Sequence, residues 1–110
     1  MKIINRGFLI IKPKQAFWDW ANQFNKEISF YVEDQCEGTV YLIEEDFFEF
    51  DPILEKNFQK ILKNECVSIT EEINWPKSFT IDLFNEWFDY DFGSSVFDIE
   101  KSDLESVKIN

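Results

Sequence analysis

The chain contains no histidine, and among its 110 residues it has only three glycines, one methionine and two cysteines. Without histidine, Ser-His-Asp and Cys-His nucleophilic centres, histidine acid–base catalysis and the usual catalytic zinc sites are excluded. Three glycines cannot supply a glycine-rich phosphate loop, and Cys36 and Cys66 form no CxxC motif. We therefore expect a protein that is not an enzyme and has no cofactor, no catalytic residues and no bound metal.

Basic residues are scarce. The chain has 11 of them against 22 acidic residues, a formal net charge of −11. This balance disfavours direct nucleic-acid binding and adsorption to anionic lipid, both of which need clustered Lys and Arg. No apolar run approaches the roughly 18 residues of a membrane span. The negative charge either serves solubility or attracts a basic protein, and the sequence specifies neither the partner nor the oligomeric state.

The redox compartment of the protein can be predicted from its cysteines and from the start of its sequence. The segment before the first strand lacks the apolar core and small-residue cleavage site of a signal peptide. We therefore expect a cytoplasmic protein with free thiols, and a disulfide between Cys36 and Cys66 is the alternative.

Aromatic residues are abundant, with 13 Phe and four Trp, and 45% of the chain is hydrophobic. Large rings bury much area per residue, so one core of rings is expected. We predict a single globular α/β domain over residues 1–101 and a flexible C-terminal tail over residues 102–110.

Three segments have the pattern of β-strands. The run Phe8 to Ile11 does not alternate, which is typical of a central strand covered on both faces. Thr39 to Ile43 is β-branched and aromatic throughout, and Ser95 to Ile99 alternates. Residues 28–33 alternate more weakly and predict a short edge strand or a packed loop.

Three helices are predicted between these strands. Phe17, Trp20, Ala21 and Phe24 form one apolar stripe of a helix over residues 13–24. Asp51 and Pro52 are typical of the start of a second helix, which we expect to end at residues 66–68. Ser78 or Thr80 would cap a third helix that reaches about residue 90.

The resulting order is β-α-β-α-α-β. It predicts an α/β or α+β domain with a three- or four-stranded sheet. A strand–helix–strand start favours a parallel first pair with a right-handed crossover.

Positive charge is concentrated at the start of the chain, because residues 1–18 carry four bases and no acid. In this region Lys12, Lys14 and Gln15 are candidate donors to a partner, and Trp18 is its candidate apolar anchor. The alternative for Trp18 is a rim residue half covered by a loop. Trp75 is a further candidate if it is exposed, whereas its alternative is a place in the core near Trp87 and Phe88.

Negative charge is densest in residues 44–51, where five of eight residues are acidic. This candidate acidic patch consists of Glu44, Glu45, Asp46, Glu49 and Asp51. Either its Phe residues cap the core while the acids face water, or the segment protrudes and engages a basic partner. It does not match a calcium-binding loop, because it lacks the turn glycine and has Phe where oxygen ligands would be needed.

Four motifs together resemble a family of small acidic bacterial proteins that has no assigned activity. They are Lys12-Pro13-Lys14-Gln15-x-Phe17-x-Asp19-Trp20, Thr39 to Ile43, Trp75-Pro76 and Phe84-x-x-Trp87-Phe88, spread over about four fifths of the domain. The first position of the family pattern is Arg or Lys, and here it is Lys12. The resemblance implies a cytoplasmic bacterial single domain and supplies no catalytic residues.

Three hypotheses about function follow. The first is a non-enzymatic protein-interaction module that uses the Lys12–Gln15 corner and Trp18. The second is an acidic inhibitor, either a nucleic-acid mimic or an immunity-type protein, that binds a basic protein surface. The third is a small carboxylate- or metal-dependent enzyme, which the residue types allow but no motif indicates.

Overall fold

Five strands and three helices are found in a computed structural model that describes residues 1–25, 27, 29–34 and 37–109. The strands are β1 (Lys2–Ile3), β2 (Gly7–Pro13), β3 (Thr39–Ile43), β4 (Phe88–Gly93) and β5 (Phe97–Asp98). The helices are α1 (Gln15–Ala21), α2 (Asp51–Val67) and α3 (Ile81–Trp87). The predicted mixed α/β domain and its broad element order are confirmed.

Strand β2 is central in a three-stranded sheet of order β3-β2-β4. Its predicted central position is confirmed, but both of its partners are antiparallel, so the predicted parallel pair with a crossover is wrong. A parallel pair would need a crossover that carries the chain back along the whole length of β2. The seven residues of α1 rise about 10 Å, whereas the seven residues of β2 extend about 23 Å, so this helix does not span the sheet. Strand β3 instead starts at the Pro13 end of the sheet, with Thr39 opposite Ile11.

All three helices cover the same face of this sheet, which we call the inner face. Leu9 and Ile11 of β2 point to it and are fully buried. Helix α1 reaches this face through contact of Phe17 with Phe88, and α3 through contact of Phe84 with Phe88. Helix α2 reaches it through the hydrogen bond of Tyr41 to Glu65.

The opposite, outer face is only partly covered. Val40 and Leu42 are exposed there, beside the half-buried side chains of Phe8 and Ile10. The prediction that the central strand is covered on both faces is therefore wrong. Gly93 pairs with Phe8, and a Cβ at that glycine would lie 2.6 Å from the Phe8 ring. A larger residue at position 93 would therefore require the Phe8 ring to move.

The third helix is shorter than predicted. It begins after Thr80, whose hydroxyl accepts a hydrogen bond from the Leu83 amide at 3.1 Å, but it ends at Trp87 rather than near residue 90. From Phe88 the chain continues as β4, because backbone pairing with β2 and the burial of alternate rings outweigh continuation of the helix. Strand β5 lies within the predicted final strand, but it pairs with β1 in a separate two-stranded sheet.

The other predicted elements agree with the structure apart from their ends. Helix α2 starts with Asp51 and Pro52 as its first two residues and ends at Val67. Helix α1 begins at Gln15, and residues 22–24 continue as a 3-10 turn. Residues 32–34 are also a 3-10 turn with exposed side chains, so an edge strand is not found there. The predicted Ile28 position of that strand lies outside the described residues.

The segment after β5 contains no helix or strand over residues 99–109, and its side chains are exposed. It is tied to the start of the chain by Lys2, whose Nζ donates to the Ser102 carbonyl at 2.9 Å and pairs with Asp103 at 3.3 Å. Flexibility of the tail stays a prediction.

Truncation of a core side chain of α2 tests the packing of the helices on the inner face. Leu62 is fully buried, and we expect Leu62→Ala to lower the free energy of unfolding by about 2–5 kcal/mol. On the same helix Val67 is 58% exposed, so Val67→Ala should change it by less than about 0.5 kcal/mol. Urea unfolding followed by tryptophan fluorescence measures both, and equal effects would contradict the described packing.

Candidate functional site

The Lys-Pro corner that follows β2 is largely engaged in contacts within the domain. Lys14 Nζ donates to the Asn85 carbonyl at 2.7 Å and lies 3.7 Å from the carboxylate of Asp89. Gln15 donates to Asp19 at 2.9 Å and accepts from the Val32 amide at 2.9 Å. These two side chains therefore connect α1 to α3 and to the 3-10 turn at residues 32–34.

Lys12 differs from its neighbours in the corner. It is exposed at the end of β2, opposite Asp89 in the register of the sheet. Of the three predicted donors, Lys12 has the most open position.

Trp18 occupies the rim position that was the alternative in the sequence analysis. Its indole is half-buried, with ring centroids 5.1 Å from Phe17 and 5.3 Å from Phe30 of the following loop. Its Nε1 is buried and has no hydrogen-bond partner within the described part of the chain. An unpaired donor in this position costs stability.

Trp75 is also half-buried rather than exposed. Its Nε1 donates to the Thr70 carbonyl at 2.9 Å, and its ring lies 6.2 Å from that of Phe79. The two tryptophans make no ring contact with each other among the contacts described. Trp87 and Phe88 are buried, as the core interpretation predicts.

The acidic segment Glu44–Asp51 packs part of its Phe side chains inward and exposes its acids, and whether it engages a basic partner stays a prediction. Phe50 is buried and stacks on Phe92 with centroids 3.8 Å apart, and Phe47 packs beside it at 6.4 Å. Phe48, in contrast, has a relative accessibility of 109%, so no part of its ring is covered. The carboxylates of the patch are all exposed, at Glu44, Glu45, Asp46, Glu49 and Asp51. We call residues 44–51 the acidic-aromatic loop.

Backbone hydrogen bonds hold both ends of this loop. The Gly7 amide donates to the Glu44 carbonyl at 3.3 Å, and the Ile53 amide donates to the Phe50 carbonyl at 2.9 Å. Because Phe47 and Phe50 pack inward between these attachments, Phe48 is held outward. The sequence analysis did not predict that Phe48 is exposed. The available signal was its position between Phe47 and Phe50, which are three residues apart and both pack inward.

A buried carboxyl group is the second feature that the sequence analysis missed. Glu65 is 9% exposed and accepts a hydrogen bond from the hydroxyl of Tyr41, which in turn accepts one from Asn64 at 2.9 Å. Burial raises the pKa of Glu65, and the hydrogen bonds from Tyr41 and Thr39 lower it by less. The available signal was the helical spacing: Glu65 lies four residues after Ile61, which places it on the buried face of α2.

The chemistry that this carboxyl group can perform is narrow. Glu65 lines a cavity of about 400 Å³ together with Trp18, Thr39 and Ser68.

The neighbouring Cys66 is buried and free, and burial raises the pKa of its thiol to about 12, so it is not a thiolate at neutral pH. Cys36, its partner in the alternative disulfide, lies outside the described residues. No group of three or more Asp, Glu and Cys that could hold a metal ion occurs within the described residues.

Comparison with family models, with curated proteins and with solved structures finds no match for this chain. The resemblance to small acidic bacterial proteins therefore stays a prediction. Among the described residues no helix is long and apolar enough to cross a bilayer.

Replacement of Trp18 by Phe tests whether this side chain serves packing. Trp18→Phe loses part of the contact area with Phe17 and Phe30 but also removes the unpaired Nε1, so the free energy of unfolding should stay nearly constant. Trp75→Phe is the matched control, since it removes a satisfied hydrogen bond and should lower this free energy by about 1 kcal/mol. Equal losses in urea unfolding would contradict this role of Trp18.

The pH dependence of stability tests the buried carboxyl group. Because its pKa in the folded state is above the ordinary value of 4.5, Glu65 stabilises the fold fully below pH 4.5. This contribution is lost as the pH rises through the raised pKa. The stability of Glu65→Gln relative to the wild type should therefore increase between pH 4.5 and pH 8 in urea unfolding. Glu55→Gln, at an exposed position of α2, should follow the wild type, and parallel curves for Glu65→Gln would contradict the assignment.

Proposed function

We propose that this protein is a non-enzymatic protein-interaction module that binds a basic protein surface through its acidic-aromatic loop. Phe48 is the apolar anchor of the interaction, and the surrounding carboxylates form its charged rim. The observation that carries the proposal is the complete exposure of Phe48 between exposed acids.

The energetics of such a loop favour association. Burial of a Phe side chain contributes about 1.5–3 kcal/mol, which the free protein forgoes at position 48. An aromatic anchor at the centre of an interface, surrounded by a polar rim, is the arrangement in which most binding energy is found. The carboxylates around it accelerate encounter with a basic surface, and this effect weakens with salt.

The loop is also prepared for binding. Its two inward rings, Phe47 and Phe50, pack against β4 through Phe92. A loop that already has its binding shape loses less conformational entropy on association than a free segment. This favours the loop over the Lys12–Gln15 corner as the principal surface, because Lys14 and Gln15 already have partners within the domain.

A second candidate within the same class is an acidic inhibitor. Of the two kinds of inhibitor, the features of the loop favour an immunity-type protein, which covers a basic site on its target. A nucleic-acid mimic would need carboxylates at a regular spacing, about one charge per 1.7 Å of axis for duplex DNA. Phe48 interrupts the carboxylates at the centre of the loop, which argues for a partner with an apolar pocket inside a basic surface.

Replacement of the anchor tests the proposal. The tagged wild type captures partners from an extract of its host, each is purified, and its Kd is measured by calorimetry. We expect Phe48→Ser to raise the Kd at least tenfold, because it removes the anchor without touching the core. The combined Glu45→Gln, Asp46→Asn and Glu49→Gln variant should slow association and reduce its salt dependence.

Phe97→Ser is the matched control, since Phe97 is 57% exposed and belongs to β5, outside the loop. Its Kd should equal that of the wild type. Partners that bind Phe48→Ser as tightly as the wild type, with the fold intact by circular dichroism, would overturn the proposal.

A further inference from the structure

The outer edge of β3 is a free strand edge. The sheet order β3-β2-β4 leaves β3 paired on one side only, and its register with β2 runs from Thr39 to Ile43. Within the described residues no other backbone segment hydrogen-bonds to these five. A free edge presents unpaired N–H and C=O groups to which an extended segment can add as a further strand.

A cavity follows this edge. It has a volume of about 410 Å³ and lies between β3 and α2, with Leu42 and Ile43 on one wall and Asn57 and Lys60 on the other. Its lining includes Tyr41, Leu42 and Ile43 of β3 but no residue of β2, so it lies beside the Ile43 end of the free edge. We call this space the edge groove.

The edge groove is basic, in contrast to the molecule as a whole. Arg6, Lys56 and Lys60 line it, with Glu44 as the acidic member. The ion pairs of the described residues involve Lys2 and Lys14, so the three cations of the groove have no carboxylate bound to them. Their charge is available to an acidic occupant.

The two faces of the sheet next to this edge differ in character. Val40 and Leu42 are 58% and 52% exposed on the outer face, whereas Lys56 and Lys60 belong to α2, which covers the inner face. Successive side chains of an added strand point to opposite faces. A segment that alternates acidic and apolar residues would therefore place its acids toward the lysines and its apolar side chains beside Val40 and Leu42.

We propose that the edge groove binds an extended acidic peptide segment of a partner protein, which adds to β3 as a fourth strand. About five residues of the segment pair with the backbone of β3, and its alternate acidic residues contact Lys56 and Lys60. The groove shares Glu44 with the acidic-aromatic loop, but its proposed contacts are with β3, Lys56 and Lys60, so either proposal can fail without the other.

A synthetic peptide of sequence Glu-Val-Glu-Val-Glu-Val, labelled at its N-terminus with fluorescein, tests the groove by fluorescence anisotropy and by ¹⁵N chemical shifts. We expect saturable binding that weakens with salt, and amide shifts concentrated in Thr39–Ile43. Lys60→Glu should raise the Kd at least tenfold. Lys63→Glu is the matched control, because it makes the same charge change on α2 outside the groove and should raise the Kd less than threefold.

Two further peptides test whether binding requires backbone pairing with β3 or only attraction between opposite charges. Lys-Val-Lys-Val-Lys-Val should cause no amide shifts in Thr39–Ile43, and the acidic peptide N-methylated at two consecutive central residues should bind at least tenfold more weakly. Phe48→Ser should leave binding of the acidic peptide unchanged.

Several results would overturn the proposal. They are no binding of the acidic peptide at millimolar concentration, equal effects of Lys60→Glu and Lys63→Glu, equal binding of the N-methylated peptide, or shifts away from β3. Self-association of the wild type that Lys60→Glu abolishes would assign the groove to a second copy of the chain and would also overturn it.

Discussion

Burial of one face of β2 is the interaction on which the rest of this domain depends. Leu9 and Ile11 lie at the centre of the inner face and are fully buried, and all three helices pack over them and their neighbours. Aromatic rings connect this cover to the sheet: the ring centroid of Phe17 in α1 lies 5.3 Å from that of Trp87 in α3 and 5.2 Å from that of Phe88 in β4. A small domain has few residues to spare for a core, and large rings give the most burial for each of them.

A sheet covered on one face leaves its outer face and its edges open, and the proposed binding surfaces follow from this. The edge groove exists because α2 lies beneath β3 without covering its free edge. The acidic-aromatic loop directly follows β3, and Phe47 and Phe50 hold it against β4. The two surfaces carry opposite charge, so a molecule with a net charge of −11 still has a basic region at its sheet edge.

Local pattern was a sound guide where a segment's structure depends on its own residues. Helix α2 shows this best, since its apolar stripe and its Asp51-Pro52 start predict nearly the observed span. Strand β3 was predicted at its observed bounds. The pattern was a poor guide at the junction of α3 and β4. There Phe88, Tyr90 and Phe92 alternate with acids, but the same rings also extend a helical stripe, and only pairing with β2 selects the strand. For the candidate site, the acidic segment was predicted, whereas the outward position of Phe48 was not.

By itself the sequence determined the class of fold, the ring-rich core and the charge imbalance, because composition and periodicity act within a segment or over the whole chain. Tertiary structure alone decided the antiparallel direction of β3, since this depends on how far the chain between the strands travels. It also decided the engagement of Lys14 and Gln15 by distant groups, the burial of Glu65 against Tyr41, and the gathering of Arg6, Lys56 and Lys60 beside one strand edge. Each of these joins residues far apart in the chain, and their separation in space is set by packing rather than by local pattern.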